Sequence, residues 1–286
     1  MTSDDLDPAR RADVLDRLER YYDAVPRTAA RAEDFGSLTL FVRDGPGWPY
    51  YARPTLGRAE TVSADDVRRV RARQREAGVP ESFEWVAETT PGLRVAVEGA
   101  GLVVREHPLM VLAAESPDPG PEPVTRERAD GVVVRTLGPD DPALPGALAV
   151  PHLAFAAPGT GVGNAGVAEL AALVREQAGD GSLEQSAARL RAGLTRVVAA
   201  LADGAALCAG QHQPVGRVSE IVGVGTLPSA RRRGLGGAVT AALVADARSL
   251  GVDTVFLSAG DEDVARIYAG LGFRQVATAL IAEPPE

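Results

Sequence analysis

The chain has 286 residues, enough for one large domain or two modest ones, and 45% of them are hydrophobic, as in globular proteins. Its formal net charge of −9 argues against a nucleic-acid partner, since such proteins present a broad basic surface. No apolar stretch is long enough to span a bilayer, and the acidic first five residues do not resemble a signal peptide. We therefore expect a cytoplasmic protein with no membrane partner.

The first third of the chain contains alternating helix and strand patterns. Asp7-Pro8 is a favourable start for a first helix, and Ser63 with Asp66 forms a capping box for a second helix over residues 64–77. Residues 83–87 then read as a strand, a helix is expected from Pro91, and residues 109–114 form an apolar run. Most of the tyrosines in this part are expected to pack in a core.

A proline-rich segment follows. Residues 115–130 carry four prolines among charged residues, Pro117, Pro119, Pro121 and Pro123, which is typical of an extended linker. The segments on its two sides look alike: each has a helix, a strand, a second helix and a closing apolar run that ends in glutamate, Glu115 or Glu283. The sequence therefore predicts a tandem repeat.

The second half begins with an expected strand at residues 132–136 and helices at about 143–155 and 167–177. Residues 195–201 and 205–211 are strand-like, and Ala202-Asp203-Gly204 between them predicts a hairpin turn. A strand over 219–226, a helix over 235–250, a strand over 255–259 and a helix over 264–272 complete the pattern. Cys208, in an apolar run, is expected to be a buried thiol.

The most informative stretch joins the strand at 219–226 to the following helix. It reads Leu-Pro-Ser-Ala-Arg-Arg-Arg-Gly-Leu-Gly-Gly over residues 227–237. A glycine-rich turn at a helix start exposes backbone N–H groups to an anion, and the arginines add positive charge. The residues predict a site for a phosphorylated ligand, with a solvated surface patch as the alternative.

A second glycine pattern, G-x-G-x-x-G, occupies residues 161–166. Its use in dinucleotide binding requires a strand immediately before it, and residues 151–158 do not form a clear strand pattern. We therefore expect a flexible loop here.

The Arg-x-x-Gly-x-Gly sequence at residues 231–236 resembles the coenzyme A pyrophosphate loop of the GNAT acyltransferase superfamily. Tyr268, followed by Gly272-Phe273 at the end of a helix, is a second feature similar to that family, in the expected order. The resemblance implies an α/β protein of α+β character with a mixed sheet, the GNAT fold, in two tandem GNAT-like domains. It assigns residues 1–115 to a degenerate N-terminal domain, 116–130 to the linker and 131–286 to a complete acetyl-CoA-binding domain.

The resemblance also implies site residues and a reaction, in which acetyl is transferred directly from acetyl-CoA to an amine without a metal. Tyr268 would be the acid and Glu220, on the strand at 219–226, the base, with His152 and His212 as weaker competitors. The cofactor would contact Val224, Gly225, Thr226, Arg231, Arg232, Arg233, Gly234, Leu235, Gly236 and Gly237.

One position departs from the family. Many GNAT sequences have an asparagine seven residues before the tyrosine, and here that position is Asp261, which we interpret as a helix cap. The acceptor would be a small-molecule or peptide amine, and the resemblance leaves a homodimer open. The alternative function is a non-catalytic coenzyme A-binding or scaffolding protein. The first repeat lacks the glycine turn, so its role would be structural or substrate-shaping.

Overall fold

The computed structural model describes residues 7–58, 61–112 and 125–285. The helices are α1 (Pro8–Ala24), α2 (Ala64–Ala77), α3 (Leu93–Gly99), α4 (Leu144–Phe155), α5 (Val167–Glu176), α6 (Ser182–Arg191), α7 (Leu235–Ser249) and α8 (Glu262–Ala269). The strands are β1 (Ala30–Asp34), β2 (Leu38–Arg43), β3 (Ala52–Pro54), β4 (Phe83–Val86), β5 (Val103–Leu112), β6 (Thr125–Glu127), β7 (Val133–Leu137), β8 (Arg196–Ala202), β9 (Ala205–Val215), β10 (Val218–Thr226), β11 (Thr254–Ser258) and β12 (Phe273–Glu283). No described helix has the length and hydrophobicity needed to cross a membrane. The mixed α/β architecture predicted from the sequence is confirmed.

The chain divides into two compact units that do not follow a single cut in the sequence. The first contains the described residues up to Met110 together with Ser258–Gly260 and the residues from Gln275 onward. The second contains the described residues within Val111–Leu257 and Asp261–Arg274.

The strands of the first unit lie in the order β1-β2-β3-β4-β12-β5. The last strand of the chain, β12, therefore belongs to this unit, and it pairs antiparallel with β4 from Ala279 opposite Val86 to Ala282 opposite Phe83. This differs from the predicted domain 131–286, which kept the whole C terminus in the second half. The apolar alternation of β12 predicts a strand, but that alternation does not specify which strand becomes its neighbour.

Helices α2 and α3 contribute to the core of the first unit. Ser63 caps α2, accepting a hydrogen bond from the amide of Asp66 while the Asp66 carboxylate accepts one from the Ser63 amide, as predicted. The buried face of α2 carries Val67 and Val70, which lie in one cluster with Phe83 and Leu280 of the sheet. The cap fixes the start of α2, and its apolar face packs on the sheet of the first unit.

The second unit has its strands in the order β11-β10-β9-β8-β7-β6. The β8–β9 hairpin turns at Asp203 and Gly204, both with positive φ (49° and 80°), as the sequence predicted. Two elements of the second unit, β6 and α6, were not predicted from the sequence. Strand β6 pairs with β7 and occupies residues that the prediction gave to the linker, and α6 was not expected. The predicted linker at residues 116–124 lies outside the described residues.

One buried carboxylate ties α7 to four neighbouring strands of the second unit. Asp246 of α7 accepts hydrogen bonds from Arg196 Nε of β8 (2.9 Å) and from Thr136 Oγ1 of β7 (3.3 Å). His212 Nε2 of β9 lies 2.9 Å from the same carboxylate, and His212 Nδ1 lies 2.8 Å from Ser219 Oγ of β10. Since the carboxylate only accepts, Nε2 carries the proton, and in a neutral ring Nδ1 accepts from Ser219. His212 is thus a hydrogen-bonded core histidine.

The electrostatics of this cluster are set by burial and by its donors. Burial alone would raise the pKa of Asp246, but the hydrogen bonds from His212 and Arg196 hold that pKa well below its usual range. A buried carboxylate with this many donors is stabilising only while all of them are satisfied, because removing one partner leaves an uncompensated polar group.

We predict that Asp246→Asn destabilises the protein by ~3–5 kcal/mol, because the new amide group faces donors rather than acceptors. The matched control is Asp140→Asn, whose exposed pair with Arg191 (2.6 Å) should cost at most ~1 kcal/mol. Urea unfolding at pH 7 measures both values. Equal effects of the two substitutions would contradict the assigned role of Asp246.

The same substitution should change the response to acid. Because the pKa of Asp246 is lower in the folded chain than in the unfolded one, the unfolded chain binds more protons below about pH 4. The wild-type free energy of unfolding should therefore fall as the pH drops through this range, and it should fall less steeply for Asp246→Asn. Parallel pH curves for the two proteins would show that Asp246 is not the group responsible.

Candidate functional site

Strand β10 contains a β-bulge. Its pairing with β9 runs from Val218 opposite Val215 to Val222 opposite Gln211, and then resumes with Gly225 opposite Ala209, so β10 has one extra residue. Gly223, within the shift, has a φ of +63°, a conformation that L side chains rarely adopt. The bulge bends β10 midway along its length.

Strands β10 and β11 are paired over only part of their length. Their parallel ladder joins Val218–Glu220 to Thr254–Phe256, although β10 continues to Thr226 and β11 to Ser258. Beyond Glu220, the edge of β10 that faces β11 therefore has backbone N–H and C=O groups outside this ladder. Buried backbone groups of this kind need a hydrogen-bonding partner. The predicted contact residues Val224, Gly225 and Thr226 all lie in this stretch.

Helix α4 packs closely against the bulged strand. A Cβ atom added to Gly225 would lie 2.8 Å from Ala154 Cβ and 3.0 Å from Pro151 Cα. On the other face of the sheet, a Cβ at Gly210 would lie 2.8 Å from Val224 Cγ2 and 3.0 Å from Leu243 Cδ1 of α7. Glycine at 225 and at 210 is thus required by the close approach of neighbouring elements, a signal that sequence reasoning did not use.

The glycine turn connects β10 to α7. Leu227 is fully buried, Pro228–Ala230 form a 3₁₀ turn, and the N-cap of α7 is Gly234 with a φ of +71°. The first-turn amides of α7 have no intrahelical acceptor, and the helix dipole adds partial positive charge there. A Cβ at Gly236 would lie 3.8 Å from Thr226 Oγ1, and a Cβ at Gly237 would meet nothing within 4 Å. The backbone of this turn is therefore open to a bulky anion.

The three arginines of the turn differ in what they contact. Arg231 donates to the carbonyl oxygens of Ala154 (2.8 Å), Ala157 (2.6 Å) and Gly161 (3.1 Å). Arg233 pairs with Asp130 (3.0 Å). The Arg232 side chain is exposed, and this residue has a positive φ of 65°. Of the three predicted phosphate contacts, Arg232 and Arg233 are exposed, and Arg233 is paired with Asp130.

Tyr268 lies on α8 and is buried, with its ring 6.1 Å from that of Phe273. Burial raises the pKa of the Tyr268 phenol above its usual range, and negative charge on the nearby Cys208 would raise it further. The phenol therefore keeps its proton at neutral pH and can act as a donor. Helix α8 begins at Asp261, whose carboxylate accepts from the Val264 amide (2.8 Å), so the interpretation of Asp261 as a cap is confirmed.

Cys208 lies beside this group and is buried, as expected. Thr226 Oγ1 donates to its Sγ at 3.2 Å. Burial raises the pKa of the Cys208 thiol to about 12, and the Thr226 hydrogen bond opposes this only in part. A thiol with this pKa is almost entirely protonated near neutral pH, which excludes it as a ready nucleophile.

Glu220 is the last residue of β10 that pairs with β11. Its neighbour Ser219 hydrogen-bonds to His212, which in turn hydrogen-bonds to Asp246 of α7, so Ser219 lies on the α7 face of the sheet. Because side chains alternate along a strand, Glu220 lies on the opposite face, against which α4 packs. Thr226 lies on the α7 face, since its Oγ1 approaches the Cβ position of Gly236, and Cys208 and Tyr268 lie near it. The predicted acid and base thus lie on opposite faces of the sheet. His152, the weaker competitor, is half-buried on α4.

The residues 161–166, predicted as a flexible loop, do form a loop between α4 and α5, but they are hydrogen-bonded to the turn that precedes α7. In the described part of the chain, no group of three or more His, Cys, Asp or Glu side chains could hold a metal ion. The candidate site therefore consists of the bulged strand β10, its partly paired neighbour β11 and the accessible N-terminus of α7.

Residues 199–281 match a family model described as FR47-like protein. A GCN5-related N-acetyltransferase from Kribbella flavida is similar in structure, with a TM-score of 0.61 and 22% identity over 95% of this chain and 96% of that chain. One from Sphaerobacter thermophilus has a TM-score of 0.52 and 17% identity, over 97% of this chain and 92% of that one.

A putative acetyltransferase of the GNAT family from Novosphingobium aromaticivorans gives a TM-score of 0.51 and 19% identity, over 91% of this chain and 93% of that chain. No curated protein matches the sequence significantly. At these identities the structural likenesses show the fold. The FR47-like match lies in the second half of the chain, and the chain shares the fold of solved GCN5-related N-acetyltransferases along nearly its whole length.

Proposed function

We propose that this protein is an acetyl-CoA-dependent N-acetyltransferase with its working site in the second unit. The observation that carries the proposal is the open glycine turn at the start of α7, directly after a strand that bulges and leaves its parallel neighbour. A helix N-terminus with glycines at its first positions binds phosphate groups, and a separated pair of strands offers backbone groups to an extended ligand.

The residues present fit coenzyme A. The amides around Gly234, Gly236 and Gly237 would hold the pyrophosphate, with Arg232 adding charge from the exposed side of the turn. The backbone of Val224–Thr226 would hold the pantetheine arm. The corresponding connection in the first unit, residues 55–63, has no Arg-x-x-Gly-x-Gly sequence. We therefore propose one cofactor site per chain and a degenerate first GNAT-like repeat.

Bound acetyl-CoA would supply an acetyl group activated as a thioester. The Glu220 carboxylate would accept the proton that the amine loses as its nitrogen bonds to the acetyl carbon. The Tyr268 hydroxyl would donate a hydrogen bond to the departing sulfur as the carbon–sulfur bond breaks. Since the pKa of Tyr268 is raised, tyrosinate would be more basic than the departing thiolate, so the phenol stabilises the sulfur by donating rather than by losing its proton outright.

The acceptor is proposed to be an amine on a small molecule or a peptide. The alternative remains a non-catalytic coenzyme A-binding or scaffolding protein, which would keep the glycine turn but would not depend on Tyr268 or Glu220. A cytoplasmic location and a homodimer stay predictions from the sequence.

Replacing Gly236 with alanine should separate binding from stability. The added Cβ meets only Thr226 Oγ1 at 3.8 Å, and alanine is favoured over glycine in a helix by ~1 kcal/mol, so the fold should be retained or slightly stabilised. The same methyl group obstructs the approach of a pyrophosphate to the backbone, and Gly236→Val obstructs it more. Calorimetric titration with coenzyme A should show a graded loss of affinity, while Gly138→Ala, also in open space, binds as wild type. Unchanged affinity in both folded Gly236 variants would contradict the cofactor assignment.

Substitution of the proposed proton-handling groups should lower turnover without loss of cofactor affinity. Tyr268→Phe keeps the ring and removes the hydroxyl, and the expected loss of turnover is about 10²–10⁴-fold where chemistry limits the rate. Glu220→Gln should be most damaging at lower pH, where more of the amine is protonated. Thioester cleavage with an amine panel measures both, with Tyr50→Phe and Glu184→Gln as controls. Wild-type turnover in both variants, with coenzyme A bound normally, would favour a reaction that relies on solvent for its proton transfers.

A further inference from the structure

The segment that joins α4 to α5 is attached to the turn that precedes α7. We call residues 154–166 and their contacts with 228–231 the clasp. Within it, the Gly163 amide donates to the Pro228 carbonyl at 3.0 Å, and the Ser229 amide donates to the Ala165 carbonyl at 3.0 Å. These two hydrogen bonds hold the two segments together.

The clasp explains two of the glycines in the G-x-G-x-x-G sequence. A Cβ at Gly163 would lie 2.9 Å from Pro228 Cβ, and a Cβ at Gly166 would lie 2.7 Å from Ser229 Oγ. Gly166 has a φ of −139°, and Gly163 does not have a positive φ, so backbone conformation is not what requires glycine at these positions. The requirement is the closeness of the Pro228 and Ser229 side chains.

Arg231 fastens the other end of the clasp. Its guanidinium donates to the carbonyl oxygens of Ala154 and Ala157, where α4 ends, and to that of Gly161. Carbonyl groups at a helix C-terminus lack intrahelical donors and carry partial negative charge, so a guanidinium is well suited to them. The Arg231 side chain is therefore committed to protein carbonyls.

The turn held by the clasp contains a residue in an unfavourable backbone conformation. Arg232 has a positive φ of 65°, and a non-glycine residue in this region is uncommon and is kept there by its surroundings. Gly234 also has a positive φ (71°), and left-handed residues of this kind occur in the backbone nests that bind anions. A loop fixed in this form before binding loses less entropy when the ligand arrives.

We infer that the clasp preorganises the glycine turn for the pyrophosphate of coenzyme A, and that Arg231 is a positioning residue rather than a phosphate ligand. The inference deepens the proposed function and rests on it. Arg232 supplies the charge that the ligand meets, and Arg231 supplies the shape of the turn. The G-x-G-x-x-G segment thus serves a coenzyme A site from a distance, through steric fit with Pro228 and Ser229.

The first experiment introduces a steric clash at Gly166 and then removes it by shortening Ser229. Gly166→Ala should weaken the binding of coenzyme A by roughly tenfold or more, since the added methyl group displaces Ser229 and loosens the turn. In Gly166→Ala/Ser229→Ala the nearest Ser229 atom is Cβ, at 3.5 Å from the new methyl group, so the double variant should recover most of the affinity. Gly138→Ala is the control. Absence of recovery in a folded double variant, or wild-type affinity in Gly166→Ala, would overturn the inference.

The second experiment separates charge from position. Calorimetry across a range of salt concentrations should show that Arg232→Met flattens the salt dependence of coenzyme A affinity, because one charge facing the ligand is gone. Arg231→Met should lower the affinity but keep the wild-type salt dependence. A flattened salt dependence in Arg231→Met would make Arg231 a phosphate ligand and overturn the inference. If wild-type protein does not bind coenzyme A at all, it is the proposed function that fails.

Discussion

The second unit depends most on the hydrogen bonds that the buried Asp246 carboxylate accepts. A carboxylate out of contact with water requires donors, and here they come from β7, β8 and, through His212, from β9 and β10. Because Asp246 lies on α7, its hydrogen bonds fix the helix over the sheet. The N-terminus of that helix is the proposed phosphate site, and Ser219 at the end of the network is adjacent to Glu220. The hydrogen bonds that stabilise the buried Asp246 carboxylate therefore also hold the N-terminus of α7 in place.

The second constraint is the close approach of neighbouring atoms to glycine residues. Glycines occur at 163, 166, 210 and 225 because a Cβ atom at each would come within 3.0 Å of a neighbouring atom. Positions 236 and 237 are different, since a Cβ at 236 would meet only Thr226 Oγ1, at 3.8 Å, and a Cβ at 237 would meet nothing within 4 Å. The first group tightens the frame around the turn, and the second leaves the turn accessible. The same residue type thus contributes to rigidity in one place and to ligand access in another.

Local signals in the sequence were enough to predict much of this. The Asp203-Gly204 hairpin, the cap at Asp261 and the start of α7 after Gly234 all rest on short-range turn and capping chemistry. The position of β12 in the first unit could not be predicted, because strand alternation fixes the buried face and not the partner. The contacts of Arg231 could not be predicted either, because its carbonyl acceptors lie about 70 residues away in sequence. A run of three arginines gives no indication of which carbonyl groups one of them will bind.

We propose that one unit of this chain, and only one, holds a coenzyme A site built on the glycine turn before α7. Calorimetric titration of the full-length wild-type protein with coenzyme A tests it most directly, because stoichiometry does not depend on knowing the acceptor. We predict saturation at one molecule of coenzyme A per chain. Two molecules per chain would show that the first unit also binds the cofactor, and no binding would contradict the assignment of the turn.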